Sequence, residues 1–336
     1  MNSKYRIKNQ FLLGILYKID HMDFPYNSPF VIVTPVYEDL DAATRLFTEI
    51  AHLFHDLVIV VAVDDGSIRE PLPIETISHL GSKSVILNLK RNVGHQRAIA
   101  VGINYAAENF PELPVVIMDS DGEDRPKSIL TLLNKLKANS EVDIVVATRK
   151  SRIESFRFQI FYCFYKFIFK ISTGRKINFG NFMVLSPGAL ARLSVMQELW
   201  IHLAASVLIS KLRIEICPID RGARYAGKSK MNFVGLALHG FKGLMVFAED
   251  VFVRVGMFCA LIAFISMILM PIPLVLKLIG HATPGWSSVL IAVFLLIFIQ
   301  TGTLTLLTLL LTGLIKGNGV TDFNYKIYIS KVLLRQ

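Results

Sequence analysis

Apolar positions fall into three regimes along the chain. From Phe30 to about Arg149, short β-rich runs alternate with stretches whose apolar residues recur every three to four positions. Phe30–Val36, Leu57–Val63, Ser84–Leu89, Val115–Asp119 and Asp143–Thr148 predict strands, and Asp41–Phe54, Gly94–Asn109 and Pro126–Ala138 predict helices. Asp124, just before Arg125 and Pro126, is placed to cap the last helix. This order predicts an α/β fold: a mostly parallel sheet with helices on both faces. In such sheets ligands bind beyond the carboxyl ends of the strands, near the reversal of strand order.

The second regime is amphipathic. Phe156–Ile171 is crowded with Phe and Tyr yet carries Arg157, Lys166 and Lys170. It is too charged to span a bilayer and suits a helix at head-group level. Residues 231–254 repeat the pattern, with Lys242, Glu249, Asp250 and Arg254 interrupting the apolar run; core helices of the head are the alternative for both. In residues 1–29 the apolar patch Phe11–Tyr17 follows Lys4, Arg6 and Lys8 and lacks a small-residue cleavage site, which predicts an amphipathic surface helix instead of a signal peptide.

The third regime is continuous. Val255–Ile279 carries Lys277 as its only charge, and Val289–Ile315 carries none; each exceeds the roughly 20 residues that cross a bilayer. The breaker-rich link Gly280-His281-Ala282-Thr283-Pro284-Gly285 makes the two spans, 255–279 and 286–315, a tight hairpin. Arg254 precedes it, and Lys316, Lys326, Lys331 and Arg335 follow. By the positive-inside bias those flanks are cytoplasmic, as are the head (30–230) and the tail (316–336).

Composition agrees: 53% hydrophobic residues and a mean hydropathy of +0.49 are too apolar for an ordinary soluble protein. The net charge of +10 comes without a Lys/Arg run interleaved with aromatics, which argues against nucleic acid and for an anionic bilayer. Cys163, Cys217 and Cys259 fit neither a zinc spacing nor a disulfide framework.

The chemistry lies in the loops after the strands. Asp64-Asp65-Gly66-Ser67 follows the second strand and Asp119-Ser120-Asp121 the fourth. On an extended continuation, residues i and i+2 project to one side, so Asp119 and Asp121 can direct two carboxylates to one point. Two hard oxygen ligands suit Mg²⁺ or Mn²⁺ better than Zn²⁺. Alone, each motif is also the composition of an ordinary turn. With Pro35-Val36-Tyr37-Glu38 after the first strand and Arg91-Asn92-Val93-Gly94-His95-Gln96-Arg97 after the third, the set resembles the family 2 glycosyltransferases of the GT-A fold, within them the membrane-anchored polyprenyl-phosphate enzymes.

The resemblance implies roles. Pro35, Tyr37, Glu38 and Asp65 fall where the family holds the nucleotide of a UDP- or GDP-linked sugar. Asp119 and Asp121 fall on its metal-binding D-x-D, and Arg97 where a basic side chain approaches phosphate, or else on a plain helix surface. Two departures stand out. Relatives read D-x-D-L-Q-D-P-P where this chain has Asp119 to Pro126 with Glu123 and Arg125, and Gly180-Asn181-Phe182 replaces a Gly-Asp-Phe whose Asp is often cast as base. Asn181 cannot titrate as a base. A phosphate acceptor needs none, since a monoester with its second pKa near 6 is already an oxyanion at neutral pH; Asn181 is then a hydrogen-bonding element.

Arg221, Arg224, Lys228 and Lys230 are the cations expected to meet the acceptor phosphate. Gly222 to Ser229 also matches G-x-x-x-x-G-K-[ST] behind a possible strand Leu212–Ile219, but too little chain remains before the first span for an NTPase. Gln197-Glu198-Leu199-Trp200 lacks the Arg of the Q-x-x-R-W of processive synthases, and His95 and His202 read as structural. The resemblance thus implies metal-dependent, inverting transfer of a sugar to a polyprenyl phosphate, and leaves open whether the protein forms a homo-oligomer. A nucleotidyltransferase and a silent nucleotide-sugar-binding scaffold are the alternatives.

Overall fold

The computed structural model describes residues 28–149, 166–220, 222–225, 233–281, 285–317 and 324–335. The surface helix expected before residue 28, and Phe156 to Tyr165 of the aromatic segment, lie outside them.

The head contains β1 (Phe30–Val36), α1 (Leu40–Phe54), β2 (Val58–Asp64), β3 (Val85–Leu89), α2 (His95–Asn109), β4 (Val115–Ile117), α3 (Ser128–Ala138), β5 (Ile144–Arg149), β6 (Met183–Leu185), α4 (Pro187–Ser194), α5 (Leu203–Ile209) and β7 (Ile214–Ile219). There follow α6 (Phe233–Met245), α7 (Ala248–Leu269), α8 (Pro271–Leu278), α9 (Trp286–Gly317) and β8 (Ile329–Leu334). One eight-stranded sheet runs β7-β5-β6-β4-β1-β2-β3-β8. The block β4-β1-β2-β3 is parallel, as is β5 with β7. β6 is antiparallel to both its neighbours and β8 to β3, so the sheet is mixed.

β1 and β2 are buried on both faces, which is why they read as unbroken apolar runs. Alternate residues serve the two faces. Val31 and Val33 pack with Ile99 and Ile103 of α2, while Ile32 packs with Leu46, Phe47 and Ile50 of α1. Strand order reverses between β1 and β4, so the crevice of the fold opens at their carboxyl ends.

Asp124 does not cap α3. Its Oδ2 accepts the Asp119 N–H at 3.1 Å, and the helix begins only at Ser128, after a turn closed by Ser128 N to Arg125 O. The local pattern favoured a cap, but the carboxylate is spent on the acidic turn.

α7 and α9 pack side by side, with the Thr305 hydroxyl donating to Gly256 O at 3.4 Å. Their outward faces expose Phe258, Leu261, Leu306 and Leu310, unlike the core helices of a soluble head. Ala248–Leu278 and Trp286–Thr312 are long and apolar enough to cross a bilayer. The helix boundaries differ from those read in the sequence. α7 starts at Ala248, with Glu249 and Asp250 in its first turn where the helix dipole favours them, and Pro271 opens the separate α8.

Two contacts tie this hairpin to the head. Phe169, on the helical stretch 166–173, meets Phe247 edge-on at 5.6 Å within a cluster that includes Ala204 and Ala205 of α5. The second is the tail, which the sequence left without structure. β8 joins the sheet with Leu89 opposite Ile329, Tyr328 packs on Trp200 at 5.5 Å, and Tyr325 and Lys326 bind Glu108.

Candidate active site

The five acidic side chains at the carboxyl edge of the sheet are held in two ways. Glu38 follows β1 with φ of 48°, and its carboxylate accepts the N–H groups of Ile68, Arg69 and Glu70 at 2.8–3.2 Å. These bonds, that from Ile68 first, hold its pKa below the usual carboxylate value. Asp64 accepts from Ser67 N and Leu72 N at 2.9 and 3.0 Å, and Asp65 from Val93 N and Gly94 N at 2.7 and 3.0 Å. Burial pushes the Asp65 carboxyl upward despite those bonds. Glu38 and Asp65 therefore shape the loops around the crevice. Gly66 between them has φ of 72°, and a Cβ there would lie 2.4 Å from the Arg91 carbonyl carbon.

Asp119 and Asp121 face basic side chains, and Asp121 Oδ1 also accepts the Glu123 N–H at 3.0 Å. β4 ends at Ile117 and residues 120–121 turn, so strand alternation does not extend through Asp121 as the sequence suggested. Asp119 Oδ1 lies 3.2 Å from His95 Nε2, and Asp121 Oδ2 lies 2.7 Å from an Arg224 guanidinium nitrogen. Arg224 Nε also bonds Glu123 at 3.0 Å. Burial lowers the His95 pKa, but Asp119, aided by Asp65 and Asp121, outweighs it and leaves the imidazole more basic than usual. His95 thus lies against Asp119 and Asn181 beside the acidic turn, a placement that its structural reading did not foresee. Its partners lie far off in sequence, and only its position after Gly94 at the start of α2 could have pointed to it.

Arg224 is carried by the connection from β7 to α6, which lies on the acidic turn. Gly222 N donates to Glu123 O at 2.8 Å and Tyr225 N to Asp121 O at 3.0 Å. The Tyr225 ring covers Gly122, where φ is 85° and a Cβ would come within 2.5 Å of the ring. Tyr225 OH donates to Glu49 at 2.7 Å, and Arg45 sits 4.5 Å over its ring. Burial, then Glu49, pushes the Tyr225 phenol upward.

Asn181 is also in place. Its Nδ2 lies 3.0 Å from His95 Nε2, and its Oδ1 accepts from Gln96 Nε2 at 3.2 Å. Pro35 is buried within β1, and Tyr37 is 44% exposed at the mouth. Arg97 points outward from α2 and makes no ion pair among the described residues. His202 keeps its structural reading, its Nδ1 accepting Ala205 N at the start of α5. Arg221, Lys228 and Lys230 lie outside the described residues.

Among the described residues no three or more His, Cys, Asp or Glu side chains gather as a metal cage. Asp119 and Asp121 are hard oxygen donors on one turn, in contact with His95 and Arg224. That chemistry fits Mg²⁺ or Mn²⁺ completing its coordination with phosphate oxygens.

Residues 31–200 match the family described as Glycosyl transferase family 2. An uncharacterized glycosyltransferase of Synechocystis is 28% identical over 283 residues, covering 79% of this chain and 84% of that one. The bactoprenol glucosyl transferase of Shigella phage SfV is 26% identical over 276 residues, covering 79% and 87%. Among solved structures, glucosyl-3-phosphoglycerate synthase from Mycobacterium tuberculosis, with Mn²⁺, uridine-diphosphate and glucosyl-3-phosphoglycerate, has a TM-score of 0.43 at 14% identity, covering 68% of this chain and 80% of that one. With just over half of its length matched by the family and an acidic turn at the reversal of strand order, the chain belongs to glycosyl transferase family 2.

Proposed function

We propose that this glycosyltransferase moves one sugar from a UDP- or GDP-linked donor to a polyprenyl phosphate, at the cytoplasmic face of a membrane such as a bacterial inner membrane. One observation carries the reading: the chain enters and leaves the apolar hairpin at the same edge of the sheet that bears the acidic turn. β7 runs parallel to the central strands and ends there before α6, and β8 starts there, beside the end of β3. A hairpin seated in a bilayer holds that edge toward lipid. The name of the Shigella phage relative, and that of an undecaprenyl-phosphate 4-deoxy-4-formamido-L-arabinose transferase of Edwardsiella ictaluri, 29% identical over 129 residues, support the same acceptor class.

In this mechanism Pro35 and Tyr37 line the nucleotide's entry, while Glu38 and Asp65 keep their loops in shape. Asp119 and Asp121 hold Mg²⁺ or Mn²⁺, which when bound supplies positive charge to the donor's diphosphate. Arg224, with Arg221, Lys228 and Lys230 on the same connection, counters the acceptor phosphate. A phosphate oxygen attacks the anomeric carbon as its bond to the diphosphate breaks, in line and with inversion. No base is required, so Asn181 positions through hydrogen bonds, and orientation supplies the acceleration.

The test is incubation of purified protein in lipid with radiolabelled nucleotide sugars, Mn²⁺ and undecaprenyl phosphate. Label entering the organic phase, dependent on the lipid phosphate, is expected. In a parallel incubation with nucleoside triphosphate and sugar 1-phosphate, inorganic diphosphate release without lipid labelling would indicate nucleotidyl transfer, and saturable donor binding without turnover a scaffold; either overturns the proposal.

A further inference from the structure

Gln96 is a buried amide that bridges three elements. It sits in the first turn of α2 with 6% of its surface exposed. Its Oε1 accepts the backbone N–H of Leu203, the first residue of α5, at 2.7 Å. Its Nε2 donates to Asn181 Oδ1 at 3.2 Å, in the segment leading into β6. An amide side chain is ambiguous only while both ends can exchange roles. Here a backbone N–H can only donate, so the Gln96 oxygen must face Leu203 and its nitrogen must face Asn181. Asn181 must then answer with its oxygen, which leaves its Nδ2 turned toward His95, 3.0 Å away, and His95 in turn contacts Asp119. The polarity of one main-chain group is passed through the Gln96 amide as far as Asn181, whose Nδ2 lies beside the acidic turn's neighbour His95.

We infer that Gln96 is a positioning residue, which fixes Asn181 so that it presents a nitrogen donor, not an oxygen, to the active site. The inference deepens the proposed reaction and rests on it. An anionic acceptor in a pocket of carboxylates needs donors, and an Asn free to turn over would present oxygen part of the time. Gln96 touches no reacting atom and acts only through Asn181. Its burial explains why so short a link holds: an unpaired amide there would lose its water without gaining a partner, so the chain of bonds is preferred to any partly broken alternative.

Gln96→Glu is the discriminating change, because it keeps the shape and the Leu203 bond but sets an oxygen against Asn181 Oδ1, forcing Asn181 to reverse. The expected result is a fall in kcat of about tenfold or more per folded protein with donor KM within about twofold. In an Asn181→Ala background the same change is expected to cost less than about twofold, the non-additivity of residues acting in one chain. Gln96→Met, which removes both bonds without adding charge, controls for the cost of a buried carboxylate and should lower kcat in the same non-additive way. Full activity of Gln96→Glu, or equal costs in both backgrounds, overturns the inference. A wild-type protein that labels no lipid defeats the proposed reaction instead. The cycle is then read calorimetrically on Mn²⁺ affinity, where reversal of Asn181 draws His95 away from Asp119 and tightens binding by about threefold only when Asn181 is present; no such dependence overturns it.

Discussion

The acidic groups of the sheet edge divide into two regions that look alike in sequence and differ in partners. Around β1 and β2, Glu38, Asp64 and Asp65 spend their oxygens on main-chain N–H groups. After β4, Asp119 and Asp121 meet the side chains of His95 and Arg224, and Asp121 Oδ1 also accepts the Glu123 N–H at 3.0 Å. A main-chain donor cannot leave without unfolding its loop, whereas a side-chain cation can rotate away. The first region is scaffold, tied to its loops alone, whereas the second adds to a main-chain tie at Asp121 two side-chain partners that can be displaced.

The sharpest break of this contrast is Asp121→Asn. It is expected to lower lipid labelling by about 10²–10³-fold, the scale of losing one electrostatic contact to a transition state, with the thermal midpoint unchanged. Full activity would move Asp121 into the scaffold class. Asp64→Ala should do the reverse. It orphans the buried donors Ser67 N and Leu72 N and is expected to cost roughly 2–4 kcal/mol in denaturant unfolding of the head, with activity falling in step with folded protein. The smallest effect is Arg224→Gln. Because the guanidinium occupies Asp121, its removal should tighten Mn²⁺ binding in the absence of donor by about 3–10-fold, measured by calorimetry, while slowing transfer. Unchanged Mn²⁺ affinity would mean that the Arg224 contact does not compete with the ion.

Legibility from sequence follows the same physics. β1 was read to the residue, and the other four predicted strands to within one or two, because burial on both faces leaves unbroken apolar runs. The reversal of strand order and the motifs around it placed the crevice. What escaped was set by distant partners. Asp124 carries the composition of a helix cap, but its carboxylate is taken by Asp119 N. His95 gains its meaning from Asp119 and Asn181, and no local spacing announces either. β8 is half exposed and lies behind an apolar hairpin, so Ile329–Leu334 reads as a tail until its pairing with β3 is seen.

That pairing bears on how the reaction reaches its greasy substrate. A head hung from one linker could tumble and would have to pull its lipid out of the bilayer. On the proposed function, a sheet joined to the hairpin at both flanks, after β7 and before β8, would hold its reactive lip toward the head groups. A polyprenyl acceptor would then stay dissolved in hydrocarbon throughout turnover, and its length would be a matter of indifference to the enzyme so long as the phosphate surfaced beneath Arg224.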